Sequence, residues 1–398
     1  MTPAARVQGA IELLDAIVAS ARSGGASADR IAAEWFKQRR YAGSGDRRAI
    51  RELAWRAIRA CGQPPETGRA GMVLLAKSDP PLAALFDGSP RGAAEIAPDE
   101  PAAAPGLAPQ WLRKALFASG IDDAELAASL ARAPLDVRVN RLKSTRDALN
   151  AELAEPGETT AAPDALRFAA GTAVETWPQF ADGKFEVQDT GSQLACLALG
   201  VRPGEAVIDL CAGAGGKTLA LAAAMENRGT LLACDTDRGR LQRLPPRAER
   251  AGAIVETRLL NPGKELVAMT DWRGRADAVL VDAPCSGTGT WRRNPETRWR
   301  LKSADLPGFT ALQARLLDIA AALTGPGGRI GYVVCSLLDA EGADQAAAFL
   351  ARHADSASGG WSAATVQAPA GRVRGSGSRL TPLHDGTDGF FFTVLQRL

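Results

Sequence analysis

Apolar residues in the first sixty positions recur with a period near that of an α-helix. Ile11, Leu13, Leu14, Ile17 and Val18 form one stripe. Ala49, Ile50, Leu53, Ala54 and Ile58 form another, with Arg48, Arg51, Arg56 and Arg59 on the other faces. This spacing predicts helices through residues 5–60. Residues 89–108 are rich in Ala, Pro and Gly and read as a linker. A helix is expected over 122–132 and a strand over 135–139. From about residue 186 short apolar runs alternate with helical stretches. Strands are expected at 206–210, 230–234, 254–257, 276–281, 329–334 and 390–395. Helices are expected at 216–225, 238–251, 306–323 and 340–352. Continuous apolar strands separated by helices indicate a parallel sheet covered on both faces. Residues 356–378, rich in Ser, Gly and Ala, read as a loop. There is no internal repeat.

With 398 residues, 46% hydrophobic and 23% charged, the chain has the composition of a soluble globular protein. No apolar run reaches the roughly 18 residues that span a bilayer. The start, Met1-Thr2-Pro3-Ala4-Ala5-Arg6, does not resemble a signal peptide, so the expected compartment is the cytoplasm. Net charge is only +2 and identifies no polyanionic partner. Its distribution says more. Residues 291–302 carry Arg292, Arg293, Arg298, Arg300 and Lys302 with Trp291 and Trp299 interleaved. Cations among aromatics suit a single-stranded nucleic acid, through phosphate pairing and base stacking.

The six cysteines, Cys61, Cys196, Cys211, Cys234, Cys285 and Cys335, form no C-x-x-C pair, and the only histidines are His353 and His384. This spacing argues against structural zinc and against any metal site. Two of the cysteines each open a Cys-Ser step at the end of a strand-like run: Val279 to Ser286, and Ile330 to Ser336. Upstream lies a glycine-rich turn, Asp209-Leu210-Cys211-Ala212-Gly213-Ala214-Gly215-Gly216-Lys217-Thr218. A phosphate loop needs G-x-x-x-x-G-K-[ST], and Cys211 occupies its first glycine. A dinucleotide fingerprint needs G-x-G-x-x-G/A, and Thr218 occupies its third. S-adenosylmethionine remains. Its site needs close backbone approach at a helix N-terminus. It also needs an acid after the next strand for the ribose, a place held by Asp235. Asp209 orients the loop or meets the amino group of the cofactor. Asp237 reads as a helix cap.

At these residues the chain resembles the RsmB, Sun and nucleolar-protein family of RNA cytosine-5 methyltransferases. The likeness is carried by Arg138-Val139-Asn140-Arg141-Leu142-Lys143, by Phe185 to Leu194, and by the glycine turn. Asp282-Ala283-Pro284-Cys285-Ser286-Gly287-Thr288-Gly289, Arg293-Asn294-Pro295, Cys335-Ser336-Leu337 and Asp385 to Phe391 complete it. The resemblance covers about residues 135–398. Val334 stands where the family commonly has Thr, and Ala212 and Ala214 replace an Ala-Pro step. Leu259-Leu260-Asn261-Pro262-Gly263 lacks the family's usual acid. The N-terminal helices resemble a reduced NusB-type RNA-binding domain.

The resemblance implies a class I, Rossmann-like α/β methyltransferase fold with a mostly parallel seven-stranded sheet. With the helices and linker read above, the expected domains are a helical, NusB-like region over 1–88, a linker at 89–108, a small α+β RNA-binding segment at 109–180 and a catalytic domain at 181–398. The implied reaction is methyl transfer from S-adenosylmethionine to C5 of a cytosine in RNA. Cys335 would be the nucleophile, Cys285 would assist product release, and Asp282 would sit beside the base. Cys211, Ala212, Gly213, Ala214, Gly215, Gly216, Lys217, Asp235, Asn261 and Asp282 would hold the cofactor. The residues alone leave the two cysteine roles open, because Pro284-Cys285 is also the nucleophile motif of DNA cytosine-5 enzymes. Ribosomal RNA is the expected partner and a monomer the expected state. Transfer RNA, or a non-catalytic role in ribosome assembly, are the alternatives. Gly216-Lys217-Thr218 keeps a phosphate-loop hydrolase in view, while a Ser-His-Asp hydrolase lacks its G-x-S-x-G elbow.

Overall fold

The computed structural model describes residues 1–354, 360–364 and 369–398. The chain divides into two compact units, Met1–Ala131 with Thr290–Ser303, and Arg132–Gly289 with Ala304–Leu398.

The first unit is helical. Its main elements are α1 (Pro3–Ser23), α2 (Ala28–Gln38), α3 (Ser44–Ala60) and α4 (Gly68–Ala76). α1 begins where the Thr2 side chain accepts the Ala5 N–H and ends at left-handed Gly24. The periodic stripes meet in one core: Leu13, Leu14 and Ile17 pack with Ile50, Ile58 and Met72. Residues 89–108, read as a linker, run without regular elements but are tied down. Ala93 is buried in the same core, the Ala103 N–H donates to the Ala70 carbonyl, and Arg69 pairs with Glu100. Small Ala side chains can be buried without any periodic signal.

Trp291, Arg298, Trp299 and Arg300 correct the nucleic-acid reading of residues 291–302 at those four positions. Trp291 and Arg298 are fully buried, and Trp299 belongs to the helical core. The Arg298 guanidinium donates to the carbonyls of Ile58 (2.6 Å), Cys61 (2.8 Å) and Pro295. Burial pushes its pKa down to about 9. Arg300 donates to the Gly25 and Ala26 carbonyls, and the Glu296 carboxylate accepts the Ala28 N–H. Arg298, Arg300 and Trp299 are spent on backbone carbonyls. Charge spacing in sequence does not distinguish a guanidinium facing phosphate from one facing carbonyls.

The second unit holds two sheets. The smaller is antiparallel, in the order β2-β3-β1-β4: β1 (Leu135–Val139), β2 (Glu158–Thr159), β3 (Ala165–Phe168) and β4 (Phe185–Val187). β4 lies beyond the 180/181 boundary read from the sequence, yet it pairs with β1, Val139 opposite Phe185. Asp136 binds Arg167 through both carboxylate oxygens (2.7 and 2.8 Å).

The larger sheet comprises β5 (Ala206–Asp209), β6 (Thr230–Asp235), β7 (Glu256–Leu259), β8 (Ala276–Asp282), β9 (Thr324–Val334), β10 (Trp361–Ala363), β11 (Arg372–Arg374), β12 (Gly377–Leu380) and β13 (Phe390–Arg397). The order is β11-β12-β13-β9-β8-β5-β6-β7, with β10 against β13. β7, β6, β5, β8 and β9 run parallel, and β13 is antiparallel to β9. This is the expected class I methyltransferase arrangement, with nine strands among the described residues where seven were expected. The additional strands come from the stretch read as a loop. Residues 356–359 and 365–368 of that stretch lie outside the described residues.

α5 (Thr190–Leu199) and α6 (Gly216–Ala224) cover one face; α8 (Leu306–Leu323) and α9 (Ala343–Arg352) cover the other. Side chains alternate across the strands. Val279 and Val281 of β8 join Leu317 and Phe349, while Leu280 joins Leu194 and Leu221. The helix expected over 238–251 is two helices, Arg238–Leu241 and α7 (Leu244–Ala251). Pro245 and Pro246 lack the N–H that a continuous helix needs, and they open α7 instead. Among the described residues no helix is long and apolar enough to cross a membrane.

Candidate active site

The carboxyl ends of the parallel strands gather the residues singled out from the sequence. β5 ends at Asp209 and feeds the glycine turn into the N-terminus of α6. Gly215 has φ +86, and an added Cβ would lie 2.1 Å from the Leu244 side chain on α7. The conformation and the close approach both require glycine there. The turn is tied to the end of β6. The Ala212 N–H donates to the Cys234 carbonyl (2.8 Å), and the Gly213 N–H to Asp235 Oδ2 (2.7 Å). Asp235 Oδ1 accepts the Asp237 N–H (2.7 Å). Asp235 therefore shapes the loop, a role the sequence reading missed. Each of its oxygens keeps a second lone pair for a ribose hydroxyl. Asp237 caps its helix through the Arg240 N–H, as read from the sequence.

Asp209 is fully buried beneath the turn. Its Oδ2 accepts the Thr218 hydroxyl (2.7 Å), and its Oδ1 has no donor. Burial pushes its pKa up to about 7, with the Asp282 charge adding to the rise and the Thr218 hydrogen bond opposing it. An orphaned carboxylate oxygen, a helix N-terminus and an open space beside Gly216 together fit a ligand with an amino-acid portion. S-adenosylmethionine meets that description. Asn261 is exposed, directly after β7, where the Leu260 N–H donates to the Asp235 carbonyl (2.9 Å). It thus follows a residue bonded to Asp235 on the same sheet edge. Cys211 is a poor nucleophile, because burial and the surrounding carboxylates push its thiol well up.

Asp282 ends β8 and binds Lys217 Nζ at 2.6 Å. Burial works against the Lys217 ammonium. Its pKa is nevertheless raised, because Asp282 outweighs that penalty, with smaller contributions from Cys196 and Cys335. Cys285 and Cys335 follow neighbouring parallel strands, and their sulfurs are 3.4 Å apart. The Cys285 thiol is held well above its ordinary pKa, first by its hydrogen bond to Cys335, then by burial and by nearby negative charge that includes Glu341. The loops are joined by the Gly289 N–H to the Cys335 carbonyl (3.0 Å) and the Leu337 N–H to Thr288 Oγ1 (2.9 Å). The Gly389 N–H in turn donates to the Gly289 carbonyl (2.7 Å), so close that a Cβ on Gly289 would lie 2.0 Å from the Gly389 carbonyl oxygen.

Other motif residues are structural. Arg138 is buried and donates to Gln188 Oε1 (2.7 Å). Asn140 donates to the Gly183 and Ala251 carbonyls, and Lys143 to those of Asp182 and Arg250. Lys184, directly before the Phe185 to Leu194 segment, pairs with Glu152 (2.6 Å). Sequence reasoning overlooked Glu341, a fully buried carboxylate behind both cysteine loops. It lies inside the segment read as helix 340–352, and its only signal is a charge six residues after Cys335.

Residues 196–396, which include the glycine turn and both cysteines, match the family model described as 16S rRNA methyltransferase RsmB/F. The chain belongs to the RsmB/F family. It is 37% identical over 296 residues to ribosomal RNA small subunit methyltransferase B of Xanthomonas campestris pv. campestris, covering 72% of this chain and 66% of that protein. It is 34% identical over 301 residues to the Serratia proteamaculans protein of the same name, covering 73% and 67%. The chain thus spans about two thirds of the length of these relatives. The solved structure of PH0851 shares the fold with a TM-score of 0.73 at 24% identity, over 97% of this chain and 98% of that one. NSun6 from Pyrococcus horikoshii, solved with SFG, shares it with a TM-score of 0.62 at 18% identity, over 73% and 98%.

Proposed function

We propose that this RsmB/F-family chain, acting in the cytoplasm as a monomer, methylates C5 of a cytosine in small-subunit ribosomal RNA. Cys335 is the nucleophile, and Cys285 assists release. The helices over 1–88 and the small α+β segment over 109–180 engage the RNA. The carrying observation is the pair of sulfurs 3.4 Å apart beside the Lys217–Asp282 ion pair. The names of the relatives support the substrate class.

S-adenosylmethionine, when bound, supplies an electrophilic methyl group. The protein must make C5 nucleophilic. A neutral thiol adds poorly, so the attacking sulfur has to be a thiolate. The Cys285 thiol, kept protonated, donates a hydrogen bond that steadies the Cys335 thiolate. Lys217 adds positive charge close by. Addition of Cys335 at C6 breaks the ring's aromaticity and turns C5 into an enamine-like carbon. Asp282 meets the N3 and amine edge of the base. After C5 has gained its methyl group, a base takes the C5 proton. The electron pair re-forms the C5–C6 double bond, and the C6–Sγ bond breaks. The departing thiolate again receives the Cys285 hydrogen bond.

Cys335→Ala is expected to lose both methyl transfer and the covalent RNA adduct. Cys285→Ala is expected to attack but release poorly, so that protein–RNA adducts accumulate on denaturing gels. Normal turnover by Cys335→Ala would overturn the assignment. Adducts with Cys335→Ala and none with Cys285→Ala would exchange the two roles.

A further inference from the structure

Glu341 closes a 3-10 turn, Asp339–Glu341, just after the second cysteine loop, and its side chain is fully buried. A carboxylate in such a place is costly unless its lone pairs are filled. Those that fill them come from both cysteine loops. Oε1 accepts the Ser286 N–H (2.8 Å) and Gln313 Nε2 (3.1 Å). Oε2 accepts the Ser336 hydroxyl (2.6 Å) and the Ser286 hydroxyl. Ser286 follows Cys285 and Ser336 follows Cys335, so one carboxylate oxygen holds the residue next to each sulfur. The same glutamate is fixed from behind, because the Tyr332 hydroxyl donates to its backbone carbonyl (2.6 Å).

The two loops do not depend on it equally. The Cys335 loop continues directly from β9 and gives the carboxylate one direct bond, the Ser336 hydroxyl, while the Gly289 and Thr288 bonds tie the two loops to each other and hold both alike. The Cys285 loop receives two of the four bonds directly, at the Ser286 N–H and hydroxyl. It is held again through Gln313, which also donates to the Pro284 carbonyl (3.0 Å). Loss of the carboxylate therefore frees Cys285 more than Cys335.

We propose that Glu341 is a positioning residue for the release step: it clamps the Cys285 loop so that its thiol stays within reach of the Cys335 sulfur. This rests on the two-cysteine reading above. Its expected signature is specific. Glu341→Gln keeps one acceptor oxygen and should still let Cys335 attack, while turnover falls at least tenfold and adduct accumulates, as in Cys285→Ala. Ser286→Ala removes only the hydroxyl contact and should move both readouts the same way by a smaller factor. A merely structural role would lower turnover without raising the adduct.

The test uses the full chain with unmodified small-subunit ribosomal RNA made by in vitro transcription and S-adenosylmethionine. Turnover is read as methyl incorporation and adduct as shifted protein on denaturing gels, for wild type, Cys285→Ala, Glu341→Gln and Ser286→Ala. Adduct accumulation in all three variants supports the proposal. Accumulation in Cys285→Ala alone overturns the role of Glu341 and leaves the two-cysteine mechanism intact. Absence of adduct from Cys285→Ala removes the mechanism, and the Glu341 proposal with it.

Discussion

Asp209 offers a test of the site that needs no substrate. The carboxyl is fully buried, one oxygen has no donor, and its pKa stands at about 7 against an ordinary 3.8. A folded value above the unfolded one means that the folded state holds the extra proton. The stabilisation is fully present below the unfolded pKa and is lost as pH rises through the folded value. The loss runs at about 1.4 kcal/mol per pH unit between those limits. Asn at this position keeps the shape, can still accept the Thr218 hydroxyl, and does not titrate. Comparing the two proteins cancels every other ionisable group. The stability of Asp209→Asn relative to wild type should therefore rise by about 2 kcal/mol between pH 5 and pH 7, and by less than about 0.5 kcal/mol from pH 7 to pH 8.5. Urea unfolding at four pH values, followed by tryptophan fluorescence, measures it. A difference that stays flat from pH 5 to pH 8.5 would refute the claim that Asp209 is an uncompensated buried carboxyl. A bound ligand that donates to Oδ1 should flatten the wild-type profile, so repeating the titration with saturating S-adenosylmethionine tests the fit of the cofactor.

Three further expectations follow from particular contacts. Arg298→Met leaves the Ile58 carbonyl without its side-chain donor and the Cys61 carbonyl with only the Trp299 indole N–H, and should destabilise the helical unit by about 2–4 kcal/mol, read by limited proteolysis and urea unfolding; wild-type stability would refute the claim that this guanidinium holds the helix ends. Gly289→Ala forces a Cβ to within 2.0 Å of the Gly389 carbonyl, so the Cys285 loop must shift, and methyl transfer should fall at least tenfold while the thermal midpoint drops. For Asp136, burial raises the carboxyl pKa, but the Arg167 and Thr190 hydrogen bonds outweigh it, and the net shift is downward. Its contribution is present above the unfolded pKa and lost as pH falls through the folded one. Asp136→Asn should cost about 3 kcal/mol at pH 7 by breaking the buried pair, and the gap from wild type should narrow as pH falls below the ordinary carboxylate range, as chemical denaturation across that range would show.

Much of the catalytic half could be read from the residues in order. The strands at 206–209 and 276–282 and the helix at 306–323 follow from apolar runs whose length and flanks leave little choice. The glycine turn, Asp235 and the two Cys-Ser steps are local motifs, each carried by a few consecutive residues. They converge because parallel strands deliver all their carboxyl ends to one edge of the sheet. Three matters were decided only in three dimensions. Arg298, Arg300 and Trp299 point at backbone carbonyls of the helical unit, because a guanidinium satisfies buried carbonyls as well as it satisfies phosphate. The small sheet takes β4 from across the boundary read in the sequence, since pairing partners are chosen by hydrogen bonding and not by chain proximity. Glu341 becomes the hub of the cysteine loops only when residues from 286 to 341 meet, and a lone glutamate carries no sequence pattern that announces it. What the chain determined by itself is the set of local shapes and the chemistry each can offer; which polar group satisfies which, and how close the two sulfurs come, followed from burial and distance that only the folded packing sets.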